Sequence, residues 1–111
     1  MPKFLVLYRS SVSARDQIAD ATPEQRQAGM QAWMDWGTRA SQAIVDFGAP
    51  LGEAETIGSA PGPPGAGISG FSILQADSEA DAAALLADHP HLSMPGGSSI
   101  ELLEFLPVPG A

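Results

Sequence analysis

Apolar and polar positions alternate along this chain in two rhythms, and each rhythm predicts a different kind of element. Phe4-Leu5-Val6-Leu7-Tyr8 is an unbroken apolar run between Lys3 and Arg9. Such a run predicts a strand covered on both faces, with Phe4, Val6 and Tyr8 pointing one way and Leu5, Leu7 and Arg9 the other. Residues 10–21 are polar and predict a loop with at most one helical turn. Thr22-Pro23-Glu24-Gln25 then opens a helix: Thr22 caps, Pro23 suits the first position and Gln25 completes a capping box. Met30, Trp33, Met34, Ala40, Ile44 and Phe47 recur at helical steps, so the pattern carries this helix to Phe47, with Gly48 as its stop. Gly37 lies on that stripe as a point of close approach to the sheet. Trp36 falls at its edge and is a candidate for a subunit interface or pocket wall.

The second half reads as two more strands, a helix and a last strand. Pro50 to Gly58 is a weak strand built on Leu51 and Ile57, and the Gly/Pro-rich stretch to Gly70 is a hairpin connection. Gly70 to Ala76 is a clear strand. Asp77-Ser78-Glu79 starts a second helix that Asp88-His89-Pro90 stops, and Ser99 to Leu106 closes the chain as a strand. The order β-α-β-β-α-β predicts an α+β fold of ferredoxin-like type, a four-stranded antiparallel sheet with two helices on one face. Strand alternation leaves apolar residues among Phe71, Ile73, Leu102 and Leu103 on the face away from the helices. An apolar open face on so short a chain implies a homodimer through that face.

Composition narrows the function classes. A length of 111 residues suits one domain spanning 1–111. All five Lys and Arg lie at or before Arg39, and the formal net charge is −8. Clustered cations are what phosphates require, so neither nucleic acid nor membrane is an expected partner. The lack of cysteine removes disulfides, thiolate catalysis and Cys-based zinc sites. The first apolar run is too short for a secretory signal and no window reaches the length of a membrane span, so a cytoplasmic location is expected.

Few motifs carry chemistry. Gly65-Ala66-Gly67-Ile68-Ser69-Gly70 matches the dinucleotide fingerprint in letters, but a strand follows it and no helix opens, so it reads as a loop. The acids Asp77, Glu79 and Asp81 read as first-turn residues complementing a helix dipole rather than a calcium loop. Asp88-His89-Pro90-His91-Leu92-Ser93 holds both histidines of the protein, an acid and a hydroxyl. Histidine changes charge near neutral pH, which makes His91, with Asp88 and His89, the candidate acid/base group. A metal site at His-x-His lacks a third ligand by spacing, so no metal is predicted, and no other cofactor motif is present. His89 also has a simpler reading as a helix C-terminal residue favoured by the dipole, while for His91 a functional and a structural role are both open. Tyr8, Arg9, Trp33 and Ser93 are candidate ligand-binding residues. Tyr8 and Trp33 would line an apolar pocket, and Arg9 would meet a carboxylate.

The opening KFLVLYR, the helix TPEQRQAGMQAWMDW, the segment GFSILQADSEADAAALLADHPHL and the ending GGSSIELLEFLPVPG together resemble the YCII-related family over nearly the whole chain. The resemblance implies a ferredoxin-like fold that dimerises into an α+β barrel in bacterial-type proteins of mostly unknown function. For some members a His–Asp pair is proposed to be catalytic, and one branch eliminates chloride from an aromatic diol-type substrate. The histidine of those members lies near the start of the first long helix, whereas residues 21–47 here contain none. The implied function is a small-molecule-binding homodimer with cofactor-free acid/base chemistry, of lyase or isomerase type, on a cyclic or aromatic metabolite. The alternative is a non-catalytic ligand-binding or protein-interaction module.

Overall fold

A computed structural model describes residues 1–59, 67–94 and 97–109. The strand β1 (Lys3–Ser10) is followed by helices α1 (Ala14–Asp20) and α2 (Pro23–Arg39), strands β2 (Ile44–Pro50) and β3 (Ile68–Gln75), helix α3 (Glu79–Leu86), a 3-10 turn (Pro90–Ser93) and strand β4 (Ser98–Glu104). The sheet is antiparallel in the order β2-β3-β1-β4. Phe4, Val6 and Tyr8 face the helices and are buried, as the run-and-alternate pattern predicts. Leu74 and Ser72 of β3 lie opposite Phe4 and Val6 in the register and complete that face with Ile100 and Leu102 of β4. The other face carries Leu5, Leu7, Phe71 and Ile73, each half-buried, and the exposed Leu103.

The expectation of a closed barrel is overturned. The four strands form an open sheet whose outer strands, β2 and β4, each have one neighbour only. Closing a sheet requires tilted strands with no free edge, and small barrels take about eight. The helix count also differs, with three α-helices in place of two, because Ser13 accepts the backbone N–H of Asp16 and caps a separate short α1.

The capping box on α2 forms as the sequence predicts: Thr22 Oγ1 accepts from the Gln25 N–H and Gln25 Oε1 accepts from the Thr22 N–H. The helix ends at Arg39, earlier than Phe47. Ile44 and Phe47 belong instead to β2, which ends where the weak strand expected at 50–58 would begin, and residues 51–58 have no regular structure. Met30 and Met34 are exposed, and Trp36 is the core residue of this helix. Only the second half of α2 packs. Residues 22–31 are all exposed, and a side chain at Gly29 would meet open space. Gly37 does make the predicted close approach, since a Cβ there would fall 2.6 Å from the ring of Phe47.

The ladder between β2 and β3 slips between Asp46 and Ala49. Gly48 sits in that bulge at φ 86°, and a Cβ there would overlap the carbonyl oxygen of Phe71, so glycine is required both for its conformation and for space. The bulge also takes the Phe47 carbonyl out of the ladder, and Ser72 supplies its partner: Oγ donates to Phe47 O at 2.6 Å. That use of the serine hydrogen makes Tyr8 the donor in the 2.8 Å bond to Ser72 Oγ. A three-group chain therefore runs from Tyr8 on β1 through Ser72 on β3 to the backbone of β2.

Candidate functional site

Both histidines are buried, at 1% and 2% exposure, and they gather with the aromatic residues of β1, β2 and α2. The route is local. Leu86 O accepts the His89 N–H as α3 unwinds, Pro90 stands first in the 3-10 turn, and the turn folds the second histidine back over the first. His89 does not close the C-terminus of α3 with its side chain. Its Nδ1 accepts the backbone N–H of His91 at 3.0 Å, which makes it the N-cap of the 3-10 turn.

Around His89 stand three rings. Trp33 and Trp36 each lie with ring centroids 4.4 Å from the imidazole, at interplanar angles of 84° and 61°, and Tyr8 lies 4.9 Å away. Helical spacing puts Trp33 and Trp36 on one face of α2, and Tyr8 meets Trp33 edge-on at 4.7 Å. Phe47, from β2, reaches both indoles at centroid distances of 6.3 and 6.4 Å. Trp36 Nε1 donates to Leu85 O at 2.9 Å, fixing the deeper indole to α3. Burial pushes the Tyr8 phenol up to about 12, with the Ser72 hydrogen bond acting the other way, so the hydroxyl stays neutral. Burial is also the largest cause that lowers His89, to about 4; the neighbouring His91 adds to it and Asp88 opposes it. His89 is therefore neutral at pH 7, and with Nδ1 accepting, its proton sits on Nε2. That Nε2–H is a buried side-chain donor with no hydrogen-bond partner among the described residues.

His91 is held differently. Its Nε2 lies 2.8 Å from the carbonyl oxygen of Arg9, and because a carbonyl only accepts, Nε2 carries a proton there. Its own carbonyl accepts from Ser98 Oγ at 2.6 Å, tying the turn to β4. Tyr8 lies edge-on to the ring at 5.3 Å. Among the described residues Nδ1 has no hydrogen-bond partner.

The structure thus brings together Tyr8, Trp33, His89 and His91 of the candidates read from sequence. Asp88 is turned to the surface, where it pairs with Arg39 at 2.5 Å and not with either imidazole. The Arg9 side chain pairs with Glu101, on the sheet face away from the helices, and only its backbone carbonyl reaches His91. Ser93 is exposed at the end of the 3-10 turn. Trp36, read from sequence as a candidate for a subunit interface or pocket wall, joins the cluster; Phe47 and Ser72 are the members that sequence reasoning assigned elsewhere or passed over. The connection expected up to Gly70 falls partly on residues 60–66, outside the described residues. Among the described residues no helix is long and apolar enough to cross a membrane, and no three His, Asp or Glu side chains gather as a metal site would require.

No known family's profile matches the chain, and neither does any curated protein. The resemblance to YCII-related proteins therefore rests on the motifs quoted above. Among solved structures the chain is similar to 5-chloro-2-hydroxyhydroquinone dehydrochlorinase from Burkholderia phenoliruptrix AC1100, solved in complex with 2,5-dihydroxybenzoquinone, at 16% identity over 91% of each chain and a TM-score of 0.48.

Proposed function

We propose that this chain is a YCII-related, single-domain protein that binds a small planar or aromatic compound against the Trp33–His89 cluster and works as a homodimer. The observation that carries the binding reading is the unpartnered Nε2–H of His89 among aromatic rings. Buried donors nearly always have a partner, and an exception marks a strained or functional place. Both tryptophans of the protein belong to the cluster, so their fluorescence reports on the site. Titration with a panel of small aromatic compounds should change that emission in the parent protein. A panel that leaves the emission untouched at millimolar concentration would sink the reading.

The dimer is supported by surface area. The chain exposes 7375 Å², about 1,600 Å² more than a folded monomer of its mass is expected to show. Stable interfaces typically bury about 800 Å² per partner, and Leu5, Leu7, Phe71, Ile73 and Leu103 supply an apolar area to bury. Light scattering should give twice the mass of one chain, and Leu7→Glu should give a single chain.

A catalytic role for His91 is favoured by one feature. The Arg9 carbonyl orients the ring through Nε2 and leaves the Nδ1 lone pair without a partner, an arrangement that suits a general base. In this reading the backbone carbonyl does the orienting that Asp88 was expected to do. His91→Gln should then abolish turnover of any compound the protein transforms while leaving binding within a few-fold. Unchanged turnover would reduce the protein to a binding module.

A further inference from the structure

We propose that the deep end of the cluster selects its ligand through a hydrogen-bond acceptor. The ligand class is a planar, neutral or anionic compound whose carbonyl- or phenolate-type oxygen accepts from His89 Nε2 while its ring takes the place of Trp33. This inference rests on the binding reading above and adds the chemistry of the ligand.

Nδ1 of His89 is committed as an acceptor to the His91 amide, so the ring has one proton to offer and offers it at Nε2. Several polar groups around it have partners: Tyr8 Oη and Ser72 Oγ bond each other, Trp36 Nε1 has Leu85 O, and His91 Nε2 has Arg9 O. Among the described residues His89 Nε2 is the fully buried side-chain polar atom that lacks one; Trp33 Nε1 and His91 Nδ1 are also unbonded but are not fully buried. The indole faces beside it offer at best a weak N–H···π contact. A site with a lone donor discriminates by chemistry. At the His89 end an ammonium or amidinium group brings only donors to meet a donor. A hydrocarbon of the same shape leaves the donor as unpaired as it is now. An oxygen acceptor satisfies it.

In this proposal the ligand reaches the donor by displacing Trp33. Trp36 is buried and anchored by its hydrogen bond, whereas Trp33 is only half-buried and its Nε1 makes no bond to a described residue. Beyond Trp33 the surface is apolar and adaptable. Met30 precedes it by one turn and Met34 follows it; they are 61% and 54% exposed, and Phe47 beside it is 38% exposed. Methionine side chains repack readily and favour ring edges, which suits a rim that receives an aromatic body once Trp33 swings out.

The test uses three probes of one size on the full chain: acetophenone, α-methylstyrene, in which CH₂ replaces the carbonyl oxygen, and benzylamine. Long-range ¹H–¹⁵N spectra of the imidazoles report the His89 tautomer and any new bond at Nε2, and the same titrations give affinities. Acetophenone should bind about tenfold more tightly than α-methylstyrene and shift the Nε2 signal, and benzylamine should not bind. His89→Asn keeps an acceptor for the His91 amide but withdraws the deep N–H, so it should bring the two neutral probes to equal affinity. Equal affinity in the parent protein overturns the ligand class and leaves the binding reading standing. An Nε2 signal and tryptophan emission unmoved by every probe overturn both. A tautomer protonated at Nδ1 overturns the ligand class on its own.

Discussion

The Tyr8–Ser72–Phe47 chain makes a quantitative prediction because its members are not equivalent. Ser72 donates to the carbonyl of Phe47 that the bulge leaves without a ladder partner, and it accepts from Tyr8. Tyr8→Phe removes the outer donor only, and Ser72 still satisfies the carbonyl, so the loss is that of one ordinary hydrogen bond, about 1 kcal/mol. Ser72→Ala strands two groups at once, the phenol of the buried Tyr8 and the Phe47 carbonyl. Each stranded group costs about 1–3 kcal/mol, and solvent reaches the β2 side, so about 2–4 kcal/mol is expected in all. In the double variant no phenol remains to be stranded, and the combined loss should fall short of the sum by about 1 kcal/mol. Urea unfolding of the four proteins at one fixed chain concentration measures the cycle, the fixed concentration being needed if the protein associates. Losses that add to within about 0.5 kcal/mol, or a larger loss for Tyr8→Phe than for Ser72→Ala, would refute the direction of the chain.

Gly48→Ala should cost more than either single change, at least about 3 kcal/mol, from left-handed backbone strain plus overlap with Phe71 O; thermal unfolding checks it, and a loss under about 1 kcal/mol would contradict the bulge geometry. His89 makes stability pH-dependent. Its folded pKa of about 4 lies below the ordinary 6.5, so the unfolded chain binds the proton more readily, and the stability it contributes above pH 6.5 is lost as pH falls toward 4. Denaturation measured between these limits should show a shallower slope for His89→Asn than for the parent. Trp36→Phe should lose about 1 kcal/mol with the bond to Leu85 O while keeping most of the aromatic packing, and a neutral result in urea would remove that bond from the core's support.

The element order was legible from sequence wherever a local signal set it. Thr22, Pro23 and Gln25 announce the start of α2 through backbone chemistry confined to four residues, and the structure repeats it. The end of α2 was not legible, because Ile44 and Phe47 continue the helical spacing of Ala40 by coincidence while belonging to a strand. The β-branched pair Ile44-Val45 was the signal that favoured the strand. Trp36 looked marginal on a stripe drawn through Met30 and Met34, yet the sheet lies under Trp36 and Ala40 and stops short of the methionines. The site was legible as a place, since both histidines fall in one short segment. Its chemistry was not, because the contacts that define it join His89 to Tyr8 and Trp33 across long separations, and because the turn geometry that commits Nδ1 leaves no mark in the residue types. Asp88 adjoins His89 in sequence, but the ion pair with Arg39 takes its carboxylate to the surface.

The half-anchored helix α2 has a consequence for how the protein opens. Its second half shares the fate of the core through Trp36 and Ala40, while the stretch from Pro23 to about Gln31 rests on the capping box, its own hydrogen bonds and the exposed bonds from Arg26 to the carbonyls of Ile18 and Ala21. A helical segment of that length has little stability by itself and persists here because the anchored turns act as its nucleus. Amide exchange along one continuous helix should therefore fall off in steps, fast near Arg26 and slow near Trp36. The residues that would guard Trp33 lie where those two regimes meet, so loosening the outer turns loosens its surroundings without unfolding the sheet.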